Sequence, residues 1–121
     1  MVYRLKWHPR GVEKVFSGHV KFGQIVASES EIEGDERFAD LRYVLIDFSQ
    51  VASLMMSNFE HDHIVAMRIG AASTNPGIKY AYVCDTDKWQ QVLTHQQNKS
   101  RSRFLVRGFQ TRSEAMQWLF E

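Results

Sequence analysis

Four consecutive apolar residues, Tyr43-Val44-Leu45-Ile46, constrain the fold of this chain more than any other stretch. Successive residues of a strand point to opposite faces, so a β-rich run with no polar member is a strand covered on both sides. Sheets are covered on both sides where helices pack on them, as in chains that alternate strand and helix. The run therefore predicts the centre of an α/β sheet, and the flanking sequence supplies the alternation.

Tyr3, Leu5 and Trp7 alternate with Arg4, Lys6 and His8, the two-residue period of a half-exposed strand. His8-Pro9-Arg10-Gly11 reads as a tight turn, and residues 12–17 return as the second strand of a hairpin. Phe22, Ile25, Val26 and Ile32 then follow helical spacing, with Gly34 placed where a left-handed cap would end the helix. Ser57 followed by Glu60 is a capping box that opens a second helix running to about Ala72. Asn75-Pro76-Gly77 is a turn, and residues 78–84 form the next strand. Asp85 or Thr86 caps a third helix carrying Trp89, Val92 and Leu93, which ends in the polar stretch 96–102. Residues 104–106 make a short last strand. Thr111 with Glu114 opens a final helix that buries Ala115, Trp118 and Leu119. The predicted order is β-β-α-β-α-β-α-β-α, a mixed sheet whose later strands are parallel, in a single domain over residues 1–121.

Charge and cysteine content exclude several classes. Fifteen basic against fourteen acidic residues leave a net charge of +1, too little for a global field that would draw in nucleic acid. The lone Cys84 has no internal disulfide partner, and no apolar run approaches the roughly 20 residues of a membrane span. The first residues lack the apolar core of a signal peptide, so the expected location is the cytoplasm. No catalytic triad, phosphate-binding glycine loop or dinucleotide fingerprint is present, which argues against an enzyme and against a cofactor.

Four pieces in order resemble the SpoIIAA-like group of small STAS-type proteins. They are Trp7-His8-Pro9-Arg10-Gly11-Val12, Asp35-Glu36-Arg37-Phe38, Asp47-Phe48-Ser49 with Val51, and Phe109-x-Thr111-x-x-Glu114-Ala115-x-x-Trp118-Leu119. The resemblance implies a non-enzymatic regulatory domain acting through a protein partner or a small ligand. Members of that group include anti-sigma factor antagonists, switched by phosphorylation of a serine at the start of the second helix. A second implication is architectural similarity to CRAL-TRIO-type lipid carriers, hence a hydrophobic or amphipathic ligand. Aligning the family's Asp-Leu-Ser-Gly-Val stretch on Asp47 puts Met55 at a later aspartate and Met56 at the phosphorylated serine. Ser57 lies one position further on and Asn58 replaces a glycine, so Ser57 is expected to be a helix cap and not a phosphoswitch.

Individual residues carry the site expectations. His61-Asp62-His63 offers metal-type ligands, but residues two apart on a helix point about 200° away from each other, so no metal site is expected. The helical wheel sets His61 beside Arg68 on the polar side and His63 among Phe59, Ala66, Met67 and Gly70. His63 is then either a hydrogen-bonded core histidine or a polar anchor at a pocket wall. An amphipathic ligand would lie against Phe59, His63 and Met67, with Asp47 and Ser49 following the carboxyl end of the central strand. Glu29 falls inside the apolar stripe of the first helix, where it needs a partner unless the helix rolls to let it reach solvent, the expected outcome. Lys99, Arg101, Arg103 and Arg107 with Arg112 form a basic cluster without an aromatic platform, read as a solvated loop. Cys84 reads as a buried structural thiol.

Overall fold

A computed structural model describes residues 3–121. A hairpin of β1 (Tyr3–His8) and β2 (Gly11–Lys21) opens a five-stranded sheet in which β3 (Tyr43–Met55), β4 (Lys79–Val83) and β5 (Leu105–Phe109) follow in chain order. Only the β1–β2 pair is antiparallel; β2 through β5 run parallel. Helices α1 (Phe22–Glu33), α2 (Asn58–Thr74) and α3 (Gln90–Lys99) make the three crossovers, and α4 (Arg112–Leu119) closes the chain. The mixed α/β architecture and its element order follow the sequence reading, with the strand at Tyr43 in the middle of the sheet.

Strand order in sequence, with right-handed crossovers, puts all three crossover helices on one face. The larger core lies there, formed by Val12, Phe16, Val44, Ile46, Phe48, Tyr80 and Tyr82 from the sheet with Ile25, Ile32, Ile64, Val65 and Leu93 from the helices. The alternate residues Tyr43, Leu45, Ala81 and Val83 meet Ala115 and Leu119 of α4 on the other face. This double covering is what the unbroken apolar run of β3 requires. One glycine is dictated by it: Gly11 pairs with Tyr43 across the strands, and a Cβ on Gly11 would overlap the Tyr43 ring.

Several boundaries differ from expectation. β2 continues to Lys21 and β3 to Met55, because the two strands go on pairing through two irregularities after β1 and β4 have ended. Gly34 caps α1 in a right-handed conformation (φ −85°), so no left-handed cap is present; its amide donates to the Ser30 carbonyl and the Asp35 amide to that of Ile32. A short 3-10 helix, Glu36–Asp40, follows, started by the Asp35 carboxylate accepting from the Arg37 amide at 2.8 Å. α3 begins only at Gln90: Asp85 does hold a turn through the Asp87 and Lys88 amides, but that turn precedes the helix. The last strand starts at Leu105 and runs to Phe109.

Candidate functional site

The extra length of β3 builds the most distinctive surface. β4 stops pairing at Asp47↔Val83, while β3 continues beside β2 to Lys21↔Met55, carrying Met55 to the carboxyl end of the sheet. There the chain turns into α2 through a complete capping box. Ser57 Oγ accepts from the Glu60 amide at 3.1 Å, and the Glu60 carboxylate accepts from the Ser57 amide at 3.0 Å. On either side of this fixed corner stand two large apolar side chains in solvent, Met55 (61% exposed) and Phe59 (81% exposed). One turn into α2 the exposed His63 ring packs edge-on against Phe22 of α1, with centroids 5.5 Å apart.

Behind this surface, α2 is tied to the sheet by a buried ionic network. Glu29 of α1 is 3% exposed and its Oε1 accepts three hydrogen bonds: from Lys14 Nζ of β2 at 2.6 Å and from Arg68 Nε and Nη2 of α2 at 3.1 and 2.8 Å. Arg68 Nη1 continues to the Tyr82 hydroxyl of β4 (2.8 Å) and Gln96 Oε1 of α3 (2.9 Å), and Tyr82 itself donates to Gln96. The guanidinium also lies over the Tyr80 ring. Burial alone would raise the Glu29 pKa, but the Arg68 and Lys14 charges overcome it and hold the carboxyl at about 2. Burial pulls the Lys14 ammonium below its ordinary value against the attraction of Glu29. Glu33, one turn beyond Glu29, is pushed up by burial and by the Glu29 charge, and its Oε2 is buried without a partner.

The wheel placed the wrong side of α2 inward. His61 and Arg68 are buried, whereas His63 and Phe59 face solvent, because the network draws Arg68 to the sheet and rolls the helix with it. Glu29 likewise does not reach solvent; its helix stays put and the carboxylate is paired where it lies. His61 lines a crevice with Phe48, Leu54, Met56, Tyr82 and Gln96 that encloses about 10 Å³, room for one water and far too little for an acyl chain. Its Nδ1 is buried without a partner, and burial together with the neighbouring His95 keeps its pKa below the ordinary value.

The residues expected to share a ligand site are not brought together. Phe59 and His63 stand on the exposed side of α2, and Met67 is half-buried against the main core. Asp47 points to the opposite face of the sheet, into an open groove with Arg4, Lys6, Glu13 and Arg112, and its Oδ1 accepts from the Ser49 amide and hydroxyl at 2.9 and 2.6 Å. Arg112 leaves the basic cluster and donates to Glu13 at 2.8 Å, where His8 also binds. Among the described residues no three His, Cys, Asp or Glu side chains are grouped to hold a metal ion. Cys84 is buried, and burial followed by the Asp85 charge pushes its thiol up to about 11, so it is protonated at neutral pH. No helix among the described residues is long and apolar enough to cross a membrane.

No protein-family model matches this sequence, and no curated protein matches it. Solved structures do. The unphosphorylated anti-sigma factor antagonist SpoIIAA superposes with a TM-score of 0.67 at 11% identity, covering 98% of this chain and 96% of its own. The chain has a SpoIIAA-like fold. The phosphorylated form of the Bacillus cell fate determinant SpoIIAA matches at a TM-score of 0.62 and 13% identity, over 97% of this chain and 98% of that one. An uncharacterised Shewanella loihica protein with a SpoIIAA-like fold matches at 0.55 and 10%, over 97% and 91%.

Proposed function

We propose that this chain is a non-enzymatic regulatory binding domain of the cytoplasm that receives a protein partner on the surface around Ser57, with Met55 and Phe59 as its apolar anchors and His63 and Phe22 at its margin. The observation that carries the reading is the pair of uncovered apolar side chains flanking a rigid helix cap: a fixed backbone presenting large apolar groups to solvent is what a docking partner buries. The fold shared with an anti-sigma factor antagonist supports a regulatory role of this kind. Met56 occupies the position that the resemblance aligns with the phosphorylated serine, and Ser57 is engaged as a cap. On this reading the partner is therefore held or released by something other than phosphate at that corner.

The test is photo-crosslinking in the native cell with a benzophenone amino acid at position 59, and at Ala39 on the distant 3-10 helix as control. A partner captured from position 59 and not from 39, and lost in Met55→Asp and Phe59→Asp variants that melt like the parent, is the expected result. Capture that survives both substitutions would remove this surface from the account.

A further inference from the structure

Strand β5 is the last strand of the sheet, and no strand pairs with its outer edge among the described residues. The direction of its backbone groups is set by one bond: the Cys84 amide donates to the Phe109 carbonyl at 3.0 Å, so Arg107 and Phe109 address β4, and Val106 and Gly108 address the free side. Among the described residues, only the Val106 carbonyl of these outward groups is met, by Gln97 Nε2 at 3.1 Å. Two open grooves border the strand. One of about 170 Å³ lies at its start between Gln97, Ser102 and Leu105, and one of about 410 Å³ lies at its end between Arg107, Phe109 and Trp118. Leu105 stands in solvent at 54% exposure.

The charge at the start of this edge is basic, while the groove at its end also carries Glu114 and Glu121. Lys99, Arg101, Arg103 and Arg107 are all exposed, and none makes an ion pair among the described residues. Arg101 and the adjoining Ser102 hold left-handed backbone (φ 51° and 61°), a conformation that side chains other than glycine rarely take, and this turns the loop back onto the start of β5. Open amides and carbonyls, side grooves for alternate residues and a rim of unpaired cations are the parts of a strand-addition site.

We propose that the outer edge of β5 and its basic rim form a docking site for an extended, acidic segment of a protein partner, which joins the sheet as a sixth strand. Backbone hydrogen bonds to Val106 and Gly108 would supply affinity independent of sequence. The carboxylates would meet Arg101, Arg103 and Arg107, and one apolar residue would cover Leu105. This surface is separate from the corner at Ser57, so the chain would hold two proteins at once, and its test does not depend on that corner.

The probe is a labelled peptide of about eight residues alternating glutamate and valine, titrated by fluorescence anisotropy at low and physiological salt, with amide hydrogen exchange read at Val106 and Gly108. Expected are binding that weakens several-fold as salt rises, slowed exchange at both amides, and at least a tenfold loss in Arg101→Glu/Arg103→Glu, which keeps the parent melting temperature. The same peptide with its backbone nitrogens methylated should not bind. Binding without protection of the two amides, an oligouridylate that binds as tightly as the peptide, or no binding at low salt would each overturn the proposal.

Discussion

Glu29 and Arg68 stand 39 residues apart in the chain and meet inside the protein through two hydrogen bonds onto one carboxylate oxygen. With Lys14 on the same oxygen, they tie β2, α1 and α2 together, and Tyr82 and Gln96 extend the tie to β4 and α3. Glu29 is the one anion between two cations, so removing it leaves two buried positive charges uncompensated, whereas removing all of the charges together leaves only volume to fill. Glu29→Met is therefore expected to cost about 3–5 kcal/mol in urea unfolding, and adding Lys14→Met with Arg68→Met to regain a large part of that loss. A triple variant no more stable than Glu29→Met alone would show that the network contributes through geometry other than its charge balance.

Acid should weaken the fold in a defined window. The Glu29 carboxyl is held at about 2, below its unfolded value of about 4.3, so its contribution is complete above pH 4.3 and is lost as pH falls toward 2. Denaturant titrations across that range should show the slope in the parent and lose much of it in the triple variant.

A second, milder window belongs to His61. Its folded pKa lies below the unfolded value of about 6.5, so the unfolded chain takes up the proton first and stability falls as pH drops below about 6.5. Burial is the main cause, followed by His95, with Asp62 and Glu60 opposing and Arg68 adding to the effect. His61→Phe should flatten the stability profile just below about pH 6.5, and proton-detected titration of the parent should place the His61 midpoint under that of an unfolded histidine.

Ser57→Ala is expected to lower stability by about 0.5–2 kcal/mol, the usual worth of a helix N-cap, while Ser57→Asp keeps it because aspartate accepts the same Glu60 amide. Thermal melts of the two variants decide this. An alanine variant as stable as the parent would mean that the corner is held by packing and not by the cap.

At Gly11 any side chain runs into the ring of Tyr43, which is itself buried under α4. Gly11→Ala should cost roughly 1–3 kcal/mol, and a Tyr43→Leu background should return part of it. The double variant, measured by urea unfolding, tests whether the overlap alone sets the cost.

Element order was legible because local signals repeat it: the apolar run at Tyr43, the capping pair Ser57 and Glu60, and the turn at Asn75-Pro76-Gly77 each mark one boundary. The inward side of α2 was not legible from that helix alone, since Phe59 and Met67 outweigh Arg68 on any hydropathy wheel. A usable signal lay across elements. Lys14 sits between Val12 and Phe16 on the apolar face of its strand and Glu29 sits in the apolar stripe of α1, a pairing that reading each element alone missed by expecting Glu29 to reach solvent. Arg68 joins the same carboxylate from the neighbouring helix, and that fixes how the helix rolls. Strand length escaped for a different reason: β2 and β3 extend each other past their other neighbours, a long-range effect that no window of one segment contains. Arg112 was grouped with the basic loop by nearness in sequence, but the buried Glu13 on the far strand claims it.

Met55 and Phe59 spend most of their surface in water, and the side-chain bonds of the turn between them join Ser57 to Glu60. Exchanging either apolar residue for one of another size or polarity asks nothing of the interior. Partner choice at this corner can thus drift over evolutionary time with the scaffold unmoved, and copies of such a gene could diverge in what they recognise long before they diverge in shape.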